Sequence, residues 1–362
     1  MLIDFHKNRF QSIQTLRGLA AILVVTEHIR FLASGAYGVD IFFCISGFMI
    51  MLTTHTNTDY FFRKRLLRIV PLYYLMTIGT YCLLLLFPTM FEQTSASIPN
   101  LIKSLLFIPF DMGNGIIQPL MRIGWTVNCE MFFYLLFWLS YHISHKYRGL
   151  ICTLLLFATT AIGAIISRGQ TITGENLMVP QMVSASDPNL LSPWLAPVVF
   201  YTSPIMLEFT FGILVYYLAR LLYQNTYLRR KRFPAIVLLL AGVFLLIVLF
   251  VTADRVNILG YRRLLVWGFP AMIVVLCFFT AGLTLRMPTF CVKLGDISFS
   301  LYLIHYYPIM LLDRKIFDFS ALTTPSAIGA VCGILLVILL SILVWYLIEK
   351  KLTGWLRRML LP

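Results

Sequence analysis

Charged residues are scarce in this sequence. They make up only 12% of the 362 residues, whereas an ordinary soluble protein carries about 25%. Acidic residues are rarer still, with 15 Asp and Glu against 29 Lys and Arg. Apolar residues reach 59% of the chain. This composition excludes an ordinary soluble enzyme and predicts an all-α polytopic membrane protein.

Paired cysteines and metal-binding clusters are also missing. No two cysteines form a CxxC pair, and most lie in apolar runs, where a thiol packs as a small hydrophobic group. The seven are Cys44, Cys82, Cys129, Cys152, Cys277, Cys291 and Cys332. His142 and His145 stand in a basic segment without a neighbouring carboxylate. We therefore expect no metal and no permanently bound cofactor.

The sequence has no internal repeat and no low-complexity tract. Its first apolar run contains Glu27 and His28, which a removable signal peptide would lack, so we expect this run to be retained. Only about a dozen residues follow the last apolar run. We therefore expect one integral-membrane domain over residues 1–362.

Ten apolar spans can be drawn along the chain. Their approximate limits are 14–32, 38–54, 69–90, 122–141, 149–167, 198–219, 234–252, 262–284, 294–312 and 323–348. Of the 29 Lys and Arg, 19 fall in one alternate set of loops and tails and nine in the other set or at its span ends. This asymmetry argues against nucleic-acid binding and predicts that both termini are cytoplasmic. The two long loops, 91–121 and 168–197, fall on the outer side and are candidates for function.

The first span carries charge where a membrane helix should be apolar. Arg17, Ala21, Val24 and His28 fall on one helical stripe, with Arg17 and His28 about 16 Å apart along the axis. Charged groups within a span usually face a protein interior or a wet cavity. An interfacial helix end whose polar groups reach the headgroups is the structural alternative. The common stripe favours a functional site.

Four other spans carry isolated polar groups. Asp40 opens the second span, where it either caps the helix or orients His28. Glu130 and Glu208 lie alone in apolar spans and need a cation or a hydroxyl as partner, with Arg17 one candidate for Glu130. The ninth span is unusually polar, since it contains Ser300, Tyr302 and His305; these residues form either a packed, hydrogen-bonded set or part of a site.

A basic patch precedes the third span. Arg65 and Arg68 share a helix face, and Arg63 and Lys64 widen the patch. Such a patch anchors a protein to anionic lipid. It also provides planar guanidinium groups that match phosphate oxygens. The sequence alone leaves both interpretations open.

Six motifs occur in an order that resembles the membrane acyltransferase-3 family, most of all its exopolysaccharide and O-antigen O-acetyltransferases. They are Leu16-Arg17-Gly18-Leu19-Ala20 with His28, GVDIFFCISGF (38–48), RLLRIVPLY (65–73), WTVNCEMFFY (125–134), LGDISFSLYLIH (294–305) and Ile348-Glu349-Lys350. The resemblance implies about ten spans and transfer of an acyl group, usually acetyl from cytoplasmic acetyl-CoA, to a sugar hydroxyl on the far side. It implies that His28 and Arg17 are essential, that Arg65 and Arg68 serve the donor, and that Glu130 is functionally important.

The expected partners follow from this resemblance. They are acetyl-CoA, a polysaccharide or lipid-linked oligosaccharide acceptor, and the lipid bilayer of a bacterial plasma (inner) membrane. This chain departs from the family at Glu27, where relatives usually have an uncharged residue before the His. We also expect no C-terminal esterase-like domain of the kind that some relatives carry. From the residues alone, a secondary transporter or polysaccharide flippase is the alternative function, because isolated carboxylates and a membrane Arg suit both.

Overall fold

The structure is a computed structural model that describes residues 10–29, 32, 34–55, 60–88, 96–111, 117–168, 195–253, 262–313 and 327–360. The described residues are predominantly helical, which confirms the all-α part of the predicted fold class. Most of the predicted outer loop 168–197 lies outside the described residues.

The α-helices follow one another along the chain and are numbered in order. They are α1 (Gln11–Glu27), α2 (Gly38–Thr53), α3 (Phe61–Leu86), α4 (Ile98–Leu105), α5 (Trp125–Ile143), α6 (Arg148–Arg168), α7 (Leu195–Tyr201), α8 (Glu208–Gln224), α9 (Thr226–Arg230), α10 (Arg232–Thr252), α11 (Phe269–Ala281), α12 (Thr289–Asp296), α13 (Ser298–Ile304), α14 (Tyr306–Asp313), α15 (Ala327–Val344) and α16 (Thr353–Leu360). Two π-helical stretches, Leu264–Gly268 and Trp345–Leu352, precede α11 and α16. Short 3₁₀ turns, Arg122–Gly124 and Pro204–Leu207, precede α5 and α8.

Six helical segments among the described residues are long and apolar enough to cross a membrane. They are Phe61–Leu86, Arg148–Ile165, Leu195–Gln224, Arg232–Thr252, Leu264–Ala281 and Ile328–Leu360. Three other predicted spans correspond to shorter or more polar helices: α1 has 17 residues, α2 has 16 and α5 has 19. The count of ten spans therefore stays a prediction.

The predicted ninth span, 294–312, is helical but interrupted at two residues. The structure divides this region into α12, α13 and α14, with breaks at Ile297 and His305. The Ser300 N–H, which in a continuous helix would donate to the Asp296 carbonyl, donates instead to Glu349 Oε1 at 3.0 Å. Pro308 lacks the N–H that would reach the Ile304 carbonyl, and this accounts for the second break.

The helices group into two compact units. The first contains Met1–Thr58, Phe211–Asn257 and Trp267–Lys351, and the second contains Asp59–Thr210, Ile258–Val266 and Leu352–Pro362. In the first unit α1 packs against α2, α11, α12 and α13. Its apolar core includes Ala21, Val25, Ile29, Ile297, Leu301, Ile309, Ala330 and Val337. Helix α1 is therefore the element around which this unit is built.

Two glycines let α1 and α12 touch through their backbones. A Cβ on Gly295 would stand 1.9 Å from the Gln14 carbonyl oxygen, and one on Gly18 would stand 2.8 Å from the Gly295 nitrogen. Only glycine fits such an approach. The side chain of Gln14 then donates to Asp296 Oδ1 at 2.9 Å, which fixes the register between the two helices.

The second unit packs α3 against α4, α5 and α16, and α5 against α6. The predicted loop 91–121 is not wholly irregular, since it contains α4 and a hairpin that pairs β1 (Phe110–Asp111) with β2 (Ile117–Gln118). Tyr73 of α3 donates to the Ser104 carbonyl at 3.0 Å, and Ser104 Oγ accepts the Leu120 N–H at 2.8 Å. These bonds hold the segment against α3.

Candidate active site

His28 lies at the C-terminal end of α1, in the first unit. Its Nδ1 atom is 3.1 Å from the carbonyl oxygen of Val24, one turn earlier, and 3.2 Å from Nε2 of His305. The ring of Tyr306 meets the His28 ring edge-on, with centroids 5.5 Å apart. Ala21 and Val24, which lie between Arg17 and His28 on the predicted stripe, are buried.

His305 is the residue that the fold brings to His28. It occupies the break between α13 and α14 and is fully buried. Its Nδ1 atom is 2.6 Å from the Tyr302 carbonyl oxygen. The sequence marked both histidines as candidates but gave no sign that they touch, since spacing within one helix says nothing about distances between helices.

At the other end of the stripe, Arg17 belongs to a chain of polar side chains. Its Nη1 atom lies 3.5 Å from Gln14 Oε1, and Gln14 in turn donates to Asp296. The structure thus links Arg17 to α12, through two residues that were not predicted as site residues. Their signal was present in the sequence, because an amide and a carboxylate next to apolar runs need partners.

Two acidic residues lie near His28 in the sequence, Glu27 directly before it and Asp40 in the next helix. Glu27 Oε2 accepts the N–H of Ala36 at 3.1 Å, so the residue that departs from the family pattern helps to close the turn before α2. Asp40 is fully buried in the first turn of α2, the position at which a carboxylate suits the helix dipole. The role of Asp40 in orienting His28 stays a prediction.

Ser300 and Tyr302 connect His305 to the rest of the first unit. Glu349, in the π-helical stretch before α16, accepts both the N–H and the hydroxyl of Ser300. The Tyr302 ring packs edge-on against the Phe42 ring, with centroids 5.8 Å apart. The carbonyl oxygen of Tyr302 is the atom that lies within hydrogen-bond distance of His305 Nδ1. These contacts fix both ends of α13. Glu349 was not predicted as a site residue, although it lies in the last of the six motifs.

The second unit contains a separate group of charged residues. The Tyr134 hydroxyl donates to Glu130, and the guanidinium carbon of Arg65 lies 5.4 Å from the centroid of the Tyr134 ring. This hydroxyl is a partner of the kind predicted for Glu130. Arg65 and Arg68 both lie close enough to Tyr134 and to Arg357 to interact with them electrostatically.

Arg357 of α16 is the member of this group that the sequence did not indicate. Helix α16 packs on α3, which carries Arg65 and Arg68. Arg63 is exposed and lies over the ring of Tyr60, at 5.6 Å. Three guanidinium groups, those of Arg65, Arg68 and Arg357, therefore lie near one another, an arrangement that suits a ligand with several negative charges.

Glu208 also has a cationic neighbour in the second unit. Its Oε1 atom is 3.7 Å from Arg263 Nε, and both side chains are almost completely buried. Arg263 was not singled out from the sequence, so this pair was not foreseen. Removing either partner would leave a buried charge, which identifies the pair as structurally important.

Comparison with known proteins agrees with this arrangement of motifs. A family described as "Acyltransferase domain" matches residues 10–346. The exopolysaccharide production protein ExoZ of Rhizobium meliloti (strain 1021) is 26% identical over 293 residues, which cover 77% of this chain and 78% of the relative. No solved structure gives a significant match to this chain.

Proposed function

Since this chain belongs to the membrane acyltransferase-3 family, we propose that it is an O-acetyltransferase that acts on an exported polysaccharide. The proposed donor is cytoplasmic acetyl-CoA, and the acceptor is a hydroxyl of a polysaccharide or lipid-linked oligosaccharide. The name of the ExoZ relative supports an exopolysaccharide acceptor. The observation that carries the proposal is the contact of His28 with buried His305, because an imidazole held in this way can serve as a base near neutral pH.

In the proposed reaction, His28 accepts the proton of the sugar hydroxyl while the sugar oxygen attacks the thioester carbonyl. The C–O bond of the ester forms, the C–S bond of the donor breaks, and His28 then passes the proton to the CoA thiolate. Transient transfer of the acyl group to His28 leads to the same products. Mass spectrometry after incubation with donor alone distinguishes the routes, because only the second leaves an acylated His28.

The proposed donor site uses the arginine group of the second unit. Arg65, Arg68 and Arg357 provide the planar donors that match phosphate oxygens, which the donor carries on its nucleotide end. The hydrogen bond from Tyr134 to Glu130 keeps this carboxylate engaged next to the ring over which Arg65 lies. Arg17, about 16 Å from His28 along α1, is proposed to be essential for the reaction, as the family resemblance implies.

We also propose that the protein crosses a bacterial inner membrane ten times, with both termini in the cytoplasm. The six long helical segments supply six crossings. Helices α1, α2 and α5 and the interrupted segment α12–α14 supply the others. The excess of Lys and Arg in one set of loops supports this orientation, and a cytoplasmic donor with an exported acceptor requires a protein that is accessible from both sides.

Purified protein in lipid nanodiscs tests the function directly. With acetyl-CoA and the unacetylated polysaccharide of the source cell, we expect release of CoA and gain of ester-linked acetyl groups in equal amounts. Protein with both Arg65 and Arg68 replaced by Gln is the control for donor dependence. In sealed proteoliposomes, movement of polysaccharide across the membrane without any acetyl transfer would instead identify a transporter.

A further inference from the structure

We propose that His305 is a positioning residue that fixes the tautomer of His28 and stabilises the cation that His28 becomes during catalysis. This inference rests on the proposed function, in which His28 is the base or the acyl carrier. The hydrogen bonds around the two rings assign every ring proton. The assignment uses two backbone carbonyl groups, which can only accept hydrogen bonds.

The proton of His305 is assigned first. Its Nδ1 atom is 2.6 Å from the Tyr302 carbonyl oxygen, so Nδ1 carries the hydrogen and donates it. A neutral imidazole has only one N–H, and the lone pair of His305 therefore lies on Nε2. The side chain is fully buried, where an added positive charge would be costly.

The proton of His28 follows from the same reasoning. Its Nδ1 atom is 3.1 Å from the Val24 carbonyl oxygen and 3.2 Å from His305 Nε2, and both of these atoms are acceptors. One N–H shared between two acceptors satisfies all three groups. His28 is thus held with its hydrogen on Nδ1, and its lone pair lies on Nε2. The opposite tautomer would place two lone pairs against each other.

This arrangement stabilises the charged form of His28. When Nε2 takes the sugar proton or the acyl group, the ring becomes cationic and its Nδ1–H becomes a stronger donor. His305 Nε2 and the Val24 carbonyl are already in place to accept it. His305 neither gains nor loses a proton. It does the work of the carboxylate in a Ser-His-Asp triad, without placing an anion in the apolar interior.

Two amide substitutions at His305 test its hydrogen bonds to Tyr302 and to His28 separately. In His305→Gln the side-chain carbonyl can reach the place of Nε2 and accept from His28. The shorter Asn side chain of His305→Asn can keep the hydrogen bond to the Tyr302 carbonyl oxygen, but it has no acceptor at the position of His305 Nε2. We expect Asn to lower kcat by about 10–100-fold, in line with other ligand-orienting partners, and Gln to retain activity within a few-fold. The KM for acetyl-CoA should stay unchanged in both variants. Equal kcat values in folded Asn and Gln variants would overturn the proposal.

A spectroscopic measurement covers the case in which a variant fails to fold. The ¹⁵N shifts of histidine-labelled wild-type protein distinguish Nδ1–H from Nε2–H imidazole, and His28→Gln identifies the His28 signals. We expect neutral His28 to carry its hydrogen on Nδ1. An Nε2–H tautomer would overturn the proposal. Because this measurement needs no turnover, absence of acyl transfer by the wild-type protein would refute the proposed function without affecting the tautomer result.

Discussion

Replacing Glu349 with Gln is expected to loosen the N-terminus of α13, the short helix that ends next to His305. Glu349 Oε1 accepts the Ser300 N–H at 3.0 Å and also the Ser300 hydroxyl. The carboxylate thus caps a helix that would otherwise begin with unsatisfied N–H groups. The Gln side chain keeps the size and one acceptor oxygen but removes the negative charge.

The size of the effect follows from these two bonds. A hydrogen bond to a charged group contributes about 1.5–3 kcal/mol and a neutral one about 0.5–1.5 kcal/mol, so each bond loses about 1 kcal/mol. Loss of an anion at a helix N-terminus adds about 0.3–1 kcal/mol. We therefore expect Glu349→Gln to reduce the free energy of unfolding by about 2–3 kcal/mol. The midpoint temperature of thermal unfolding in detergent should fall by about 4–6 °C.

The same helix offers a matched pair of serines for the control. Ser300→Ala removes one bond to Glu349 and should cost about 1.5–3 kcal/mol. Ser298→Ala removes a hydroxyl that is buried and has no hydrogen-bond partner within the described part of the chain, so it should be neutral or slightly stabilising. Equal unfolding temperatures for the two alanine variants, or a Glu349→Gln protein as stable as wild type, would refute the reasoning.

Three further predictions concern packing, donor binding and topology. Gly295→Ala should lower the free energy of unfolding by about 1–3 kcal/mol, because the new Cβ would overlap the α1 backbone. Gly79→Ala is the control, since its Cβ would stand in open space, and it should not lower stability. Thermal unfolding of both variants tests this prediction. Arg357→Gln should weaken CoA binding about tenfold in calorimetry, and its neighbour Arg358→Gln should have little effect; equal losses would argue against a specific donor site. Reporter fusions at residue 225 and at the C-terminus should both report cytoplasm, and an exported 225 fusion would contradict the topology.

The sequence predicted what depends on local pattern. Low charge and long apolar runs predicted the helical membrane class, and the spacing of Arg17 and His28 predicted their common stripe on α1. The six ordered motifs predicted the family, and this is confirmed. Such features depend on residues that lie close together along the chain or occur in a fixed order, which a single sequence records.

Contacts between distant segments could not be predicted in this way. His28 meets His305, and Ser300 meets Glu349, although no periodicity links either pair. The break in the ninth predicted span had a visible signal in Pro308, since a proline within a helix removes a hydrogen bond. The apolar run nevertheless predicted one span here, because the hydrophobicity of a segment indicates how long it is and does not show whether its helix is continuous.

Turnover of His28 variants tests the central claim most directly. Acetyl transfer per folded molecule should be measured for His28→Gln and His28→Ala, with abundance and thermal stability determined on the same samples. Loss of a general base costs about 10²–10⁴-fold in rate, and loss of an acyl carrier costs at least as much. We predict a fall of this size in both variants, with CoA binding retained. Near wild-type turnover in either folded variant would contradict the account.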